Sequence, residues 1–172
     1  GIMAIFNSTL SKSQAQNLMS NQNRISKAVI YLKKLDKEMI YRMGKKNDNR
    51  ITRVRHHEDD RPMTQVHKRT QQIVTKRNEI ITYAENNKLH VLEKSGGVSL
   101  FDALSQKLKL NKNDCWYFLP KNAKIPKEIV IAKDVEPDAN GHFHYSLQPA
   151  SNMLMSTFTE KLAEIGEQLR TI

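Results

Sequence analysis

Cysteine is almost absent from this chain of 172 residues. The single Cys115 rules out an internal disulfide and any zinc site built from several thiolates. It stands in the apolar run DCWYFLP, where a buried packing thiol is the expected reading rather than a nucleophile. Long apolar runs are missing too, since none approaches the ~20 residues a membrane-spanning helix needs. The opening GIMAIFNSTL has neither the basic start nor the extended apolar centre of a secretory leader. Any export is therefore expected to follow a route that reads no N-terminal signal. Gly1 and Ile2 ahead of Met3 read as a cloning remnant. Internal repeats and low-complexity linkers are absent as well, and a single domain is the expectation for this length.

Positive charge is plentiful. Lys and Arg number 28 against 18 Asp and Glu, a formal net charge of +10, and the excess falls before residue 80. Such a balance implies an anionic partner: nucleic acid, a nucleotide or an acidic protein.

The apolar pattern divides the chain coarsely. Ser11 followed by Gln14 has the form of a capping box, in which each side chain satisfies the other residue's free backbone N–H. Leu18, Ile25, Val29, Leu32 and Leu35 then repeat at helical spacing, predicting helix from Lys12 to about Asp36, continuous or broken near Asn21. EMIYRMG reads as a strand ending at Gly44, followed by a polar loop with a short strand at Ile51–Val54. Pro62, tolerated in a first helical turn, precedes Val66, Ile73, Ile80 and Ala84, so residues 63 to 86 are expected to form a second amphipathic helix. KLHVLE is a strand, SGG a turn and SLFDALSQKLKL a short helix packing Leu100, Leu104 and Leu108. DCWYFLP, EIVIAKD and HFHYSLQP are three further strands. The last two are joined by a tight turn at Asn140–Gly141, residues that accept positive φ. Leu154, Phe158, Leu162, Ile165 and Leu169 mark a closing helix. The class is α+β.

Several stretches carry side chains capable of chemistry. Arg42 in IYRMG either faces a cleft or lies in solvent on an edge strand, because a buried guanidinium cannot stay unpaired. Ser99 follows Gly96 and Gly97; it either caps the next helix in a plain turn or helps that helix start hold a phosphate. His56 and His57 open HHEDD, a solvated loop without the i, i+4 spacing that would suit a metal. Lys68, Arg69, Lys76 and Arg77 form a basic face that either follows a phosphate backbone or is solvated, and no aromatics interleave with it for stacking. In GHFHYSLQPA, strand alternation puts His142 and His144 on one face and Phe143 and Tyr145 on the other. The spacing alone does not separate a site from two surface histidines.

The order of the C-terminal half is more informative. Gly97, Ser99 and the pair Phe101–Asp102 come first, then an apolar strand ending in Leu119–Pro120. Ile125–Pro126, a strand closing on Asp134, His144–Tyr145 and Pro149–Ala150 follow. Over roughly residues 96 to 162 this set resembles a family of small ADP-ribosyltransferase-like toxins that bacteria deliver through type VI secretion systems. IYRMG is similar to the first-strand Tyr-Arg of that fold. The helical N-terminal segment, residues 1 to 37, is read as an addition of this branch, and the resemblance implies a toxin domain over residues 38 to 172. It also implies a split, mixed or antiparallel sheet clasping NAD and a C-terminal helix. Tyr41, Arg42, Gly97, Ser99 and Phe101 would bind the dinucleotide, and Ser99, His144 and Arg42 would act in the reaction, with His142 a solvated neighbour of His144. The implied partners are a secretion apparatus or carrier, an acidic immunity protein in the producer, and a macromolecular target in the cytoplasm of the recipient cell. Better-known ADP-ribosyltransferases carry a glutamate late in the sheet. Strand 142–148 has none; Gln148 is the nearest isostere, and Glu160, Glu164 and Glu167 lie on the last helix. A different reading is a nucleic-acid-binding or RNA-cleaving toxin that uses the basic helix with His56 and His57.

Overall fold

A computed structural model describes residues 9–23, 27–56, 64–66, 73–75, 79–104 and 112–171. The chain opens with helix α1 (Lys12–Asn23), then runs through β1 (Val29–Leu32), β2 (Met39–Lys45), β3 (Thr64–Val66), β4 (Ile73–Thr75), β5 (Thr82–Glu85) and β6 (Lys88–Val91). β7 (Val98–Phe101), β8 (Asp114–Leu119), β9 (Ile129–Asp134) and β10 (His144–Pro149) follow, and β11 (Met153–Leu154), α2 (Met155–Gly166) and β12 (Arg170–Thr171) complete it. The fold is α+β.

Seven strands form the main sheet in the order β1-β9-β10-β7-β2-β8-β12, each neighbouring pair antiparallel. β11-β6-β5 make a second sheet, and β3 pairs with β4. Alternation along the strands decides what is buried. Leu100 on β7, Ile129 and Ile131 on β9, and Tyr145 and Leu147 on β10 join Phe158, Leu162 and Ile165 of α2 in one core cluster. The spacing of those three α2 residues is the helical period that puts them on one face. A smaller cluster holds α1, whose Ala15 packs with Ile81, Tyr83 and Leu92 of the second sheet. Ser11 and Gln14 cap α1 reciprocally: Gln14 N–H donates to Ser11 Oγ at 3.2 Å, and Ser11 N–H to Gln14 Oε1 at 2.8 Å.

β7 and β10 approach so closely at Gly97 that a Cβ there would collide with the Leu147 carbonyl. The glycine is thus required by strand packing, a sufficient reason for it without any ligand. The β2–β8 register shifts between Tyr41 and Gly44, an irregularity that contains Arg42.

Four expected elements differ. The helix predicted from Lys12 to Asp36 stops at Asn23, and Val29–Leu32 instead pairs antiparallel with β9. VIYL is a β-branched and aromatic run, and ladder pairing with β9 outweighs a helical spacing of single leucines. The second amphipathic helix is absent: Thr64–Val66, Ile73–Thr75 and Thr82–Glu85 are strands. A two-residue turn at Asn86 and Asn87, with φ of 54° and 59°, then folds β5 back on β6. The start of the expected helix Ser99–Leu110 lies on strand Val98–Phe101, so Ser99 is a strand residue and not a cap; residues 105–110 lie outside the described residues. Ile51 and Val54 are buried but lie in a turn rather than a strand.

Candidate active site

The chemistry-bearing side chains stand on the side of the main sheet opposite the core. β7 and β10 pair with Ser99 opposite Ser146 and Phe101 opposite His144. Since Leu100, Tyr145 and Leu147 point into the core, the two-residue period directs Ser99, Phe101, His144, Ser146 and Gln148 to the other face. β9 pairs with β10 so that Tyr145 meets Lys133, which brings Asp134, at the end of its strand, beside His144 at the start of the next.

Three groups line up there. His144 Nε2 lies 2.9 Å from Ser99 Oγ, and His144 Nδ1 lies 3.3 Å from Asp134 Oδ2. The Phe101 ring covers the imidazole at 5.5 Å between centroids, tilted by 57°. A cavity of about 770 Å³ opens onto His144 and Asp134, walled also by Phe101, Leu104, Glu136 and Phe143 among others. Asp138 shapes its rim, accepting from the N–H groups of Asn140 and His142 at 2.8 and 2.9 Å. Gly141 adopts φ of 77° in that connection, with open space around its α-carbon.

A second polar group supports the cavity from the side. Asp36 accepts from Lys133 Nζ and from the buried Tyr145 hydroxyl, each at 2.8 Å. Burial alone would raise the Asp36 carboxyl, but these two hydrogen bonds together outweigh it and hold the group below its ordinary value. Burial first, then Asp36, pushes the Tyr145 phenol up to about 12. Lys133 Nζ also lies 4.7 Å from the Phe143 ring centroid, where a cation–π contact steadies that wall. Next to Phe101, the Asp102 side chain is 6% exposed and sits 3.5 Å from Lys37 Nζ. Its Oδ1 finds no hydrogen-bond partner among the described residues.

Of the residues expected to act together, the structure joins Ser99, Phe101 and His144. Tyr41 is elsewhere: it is buried in the core beside Tyr117, and burial raises its phenol strongly. For Arg42 the structure describes only its place on β2. His142 precedes β10 rather than sharing its face with His144, but it too lines the cavity. His56 is half-buried, while His57, Lys68, Arg69, Lys76 and Arg77 lie outside the described residues. Reasoning from the sequence missed Asp134 as a site residue. The signals were its place closing a strand in the family-like order, to which no role was attached, and the connection that returns from it to His144.

A family model described as the Tse2 ADP-ribosyltransferase toxin matches residues 38–171, well over half of the chain. The protein belongs to this toxin family. No curated protein gives a match. The mostly antiparallel sheet, the flanking helices and the α+β class agree with the ADP-ribosyltransferase-type fold of the family. For a Tse2-family toxin, the line of Ser99, His144 and Asp134 beside an aromatic-walled cavity is the place in the described structure best equipped for chemistry.

Proposed function

We propose that this protein is an antibacterial effector that transfers ADP-ribose from NAD to a macromolecule in the recipient cell's cytoplasm. The observation that carries the reading is the 2.9 Å contact between His144 Nε2 and Ser99 Oγ, with His144 in the wall of a cavity of about 770 Å³. A space of that size suits a ligand larger than a simple metabolite. The donor set fits NAD: rings at Phe101 and Phe143 offer flat apolar walls, and Lys27 offers a cation for a phosphate. Asp134, Glu136 and Asp138 make the remaining wall acidic, which favours the cationic nicotinamide end and any positive charge growing on the ribose.

Bound NAD would supply the ADP-ribosyl group and the nicotinamide leaving group. Ser99 and His144 would orient the ribose and receive the acceptor's proton, while Phe101 keeps water from the far side of the imidazole. Arg42, next along β2 from Tyr41, is the proposed clamp for a ribose or phosphate. Membership of the toxin family supports delivery by a type VI secretion system as part of this proposal, and an acidic immunity protein would suit the chain's net charge of +10.

Growth of bacteria expressing the intact chain, His144→Ala and Ser99→Ala at matched protein levels tests this. The intact chain is expected to arrest growth and both variants to restore it. Arrest by folded variants as strong as by the intact chain would refute the reading.

A further inference from the structure

We propose that Asp134 is a positioning residue for His144 and supplies the acidic group of this site through the imidazole rather than by touching the substrate; the proposal rests on the transferase reading above. His144 Nδ1 and Asp134 Oδ2 are 3.3 Å apart, an ion-pair contact rather than an aligned hydrogen bond, and an ionised carboxylate there favours the neutral ring that carries its proton on Nδ1. That tautomer leaves Nε2 with a lone pair, aimed at Ser99 Oγ at 2.9 Å. The serine hydroxyl then donates to the ring, and its oxygen keeps a lone pair that can take up a proton in turn.

The Asp134 side chain is 19% exposed and that of His144 39%, so the charge is shielded on its strand while the ring reaches the cavity. The arrangement answers a gap in the sequence, because strand 142–148 carries no glutamate. Asp138, another carboxylate of the cavity wall, holds the 138–142 connection: its Oδ1 accepts from the N–H groups of Asn140 and His142, its carbonyl accepts from Gly141 N–H and its own N–H donates to His142 O. Asp134 is the carboxylate whose contact with Nδ1 the structure shows.

In the transfer, the bond between the ribosyl carbon and the nicotinamide nitrogen breaks, and its electron pair leaves on nicotinamide. The acceptor's nucleophilic atom bonds to that carbon. Its proton passes to Ser99 Oγ as the serine proton moves to His144 Nε2, giving an imidazolium that faces the Asp134 carboxylate. The negative charge matters most after the proton has moved, so the interaction strengthens toward the transition state and should appear in kcat rather than in KM.

The test compares the intact protein with Asp134→Asn and Asp134→Ala. Nicotinamide release from NAD is followed with recipient-cell lysate supplying the acceptor, beside ¹⁵N spectra of the His144 ring in the ligand-free proteins. Asparagine can present its amide nitrogen to Nδ1 and so stabilise the wrong tautomer. The expected result is a fall in kcat of roughly 100-fold for both variants, the scale of a disabled general base. KM for NAD should stay within about twofold. The Nδ1–H signature of the intact protein should be lost in Asp134→Asn while its melting temperature is kept. The proposal is overturned if Asp134→Asn retains kcat within about threefold, or if the tautomer is the same with and without the carboxylate. A raised KM with an unchanged ring spectrum would also overturn it, showing Asp134 to be only a brace for the cavity wall. If the intact protein releases no nicotinamide, the transferase reading fails instead, and the ring spectra still decide whether Asp134 sets the tautomer.

Discussion

Replacing Asp36 by alanine should cost stability in a way that depends on pH. The carboxylate is the shared acceptor of Lys133 Nζ and the Tyr145 hydroxyl. Tyr145 is fully buried and the Lys133 side chain only 16% exposed, so both lose their acceptor, while water can enter from the side on which Asp36 is 37% exposed and replace it in part. A buried donor left without a partner costs about 1–3 kcal/mol. Lys133 still has the Phe143 and Tyr145 rings beneath it, at 4.7 and 5.3 Å, and recovers part of its loss there. The net penalty is therefore about 2 kcal/mol, which for a domain of this size lowers the melting temperature by roughly 4–8 °C.

The sign with pH follows from the direction of the shift. The folded state holds the Asp36 carboxyl below its ordinary value, so its contribution is present above that value and fades as pH falls through the lower folded one. Denaturant titrations of the intact protein and Asp36→Ala at pH 7 and in steps below about pH 4 measure both parts. The gap should be near 2 kcal/mol at pH 7 and should narrow toward the acid end. A gap under about 0.5 kcal/mol at pH 7, or one that persists undiminished near pH 2, would refute the assignment of this cluster as a structural clamp.

Three further outcomes follow from the packing. Phe158→Ala empties a fully buried position on α2 and should destabilise by about 3–5 kcal/mol in a denaturant titration. Gly97→Ala drives a methyl group into the Leu147 carbonyl between two central strands and should abolish soluble, cooperatively folding protein. His144→Ala removes a side chain that is 39% exposed and outside the core, so its melting temperature should stay within about 2 °C of the intact protein while toxicity is lost.

The elements legible in the sequence are those whose period is unambiguous. Phe158, Leu162 and Ile165 repeat as only a helix face does, and β8, β9 and β10 are bounded by Pro120, the Asp134 connection and Pro149. Between residues 63 and 86 the apolar residues recur at sevens and fours, a spacing that three short strands satisfy as readily as a helix. Asn86–Asn87, both at positive φ, was the local signal for a hairpin that would have decided it. Val29–Leu32 looked helical beside distant leucines, yet it pairs with β9 across a hundred residues of sequence, a contact no local pattern contains.

The site divides the same way. Ser99, Phe101 and His144 were legible because residue type and order carried them. Their common face rests on the Ser99–Ser146 register, which alternation on each strand allows but does not choose. Asp134 was hidden because its partner lies on the next strand, and an acidic residue closing a strand is ordinarily read as solvated. Tyr41 misled for the opposite reason: a Tyr-Arg pair on a strand suggests a cleft, but alternation turns the tyrosine into the core.

Release of nicotinamide from NAD by the purified intact protein, beside Ser99→Ala and His144→Ala, tests the central claim most directly. The account predicts release by the intact chain that falls by roughly 100-fold or more in either variant, with folding unchanged. Equal release by all three proteins, or none by a preparation that is toxic in cells, would contradict the claim that the Ser99–His144 cavity consumes NAD.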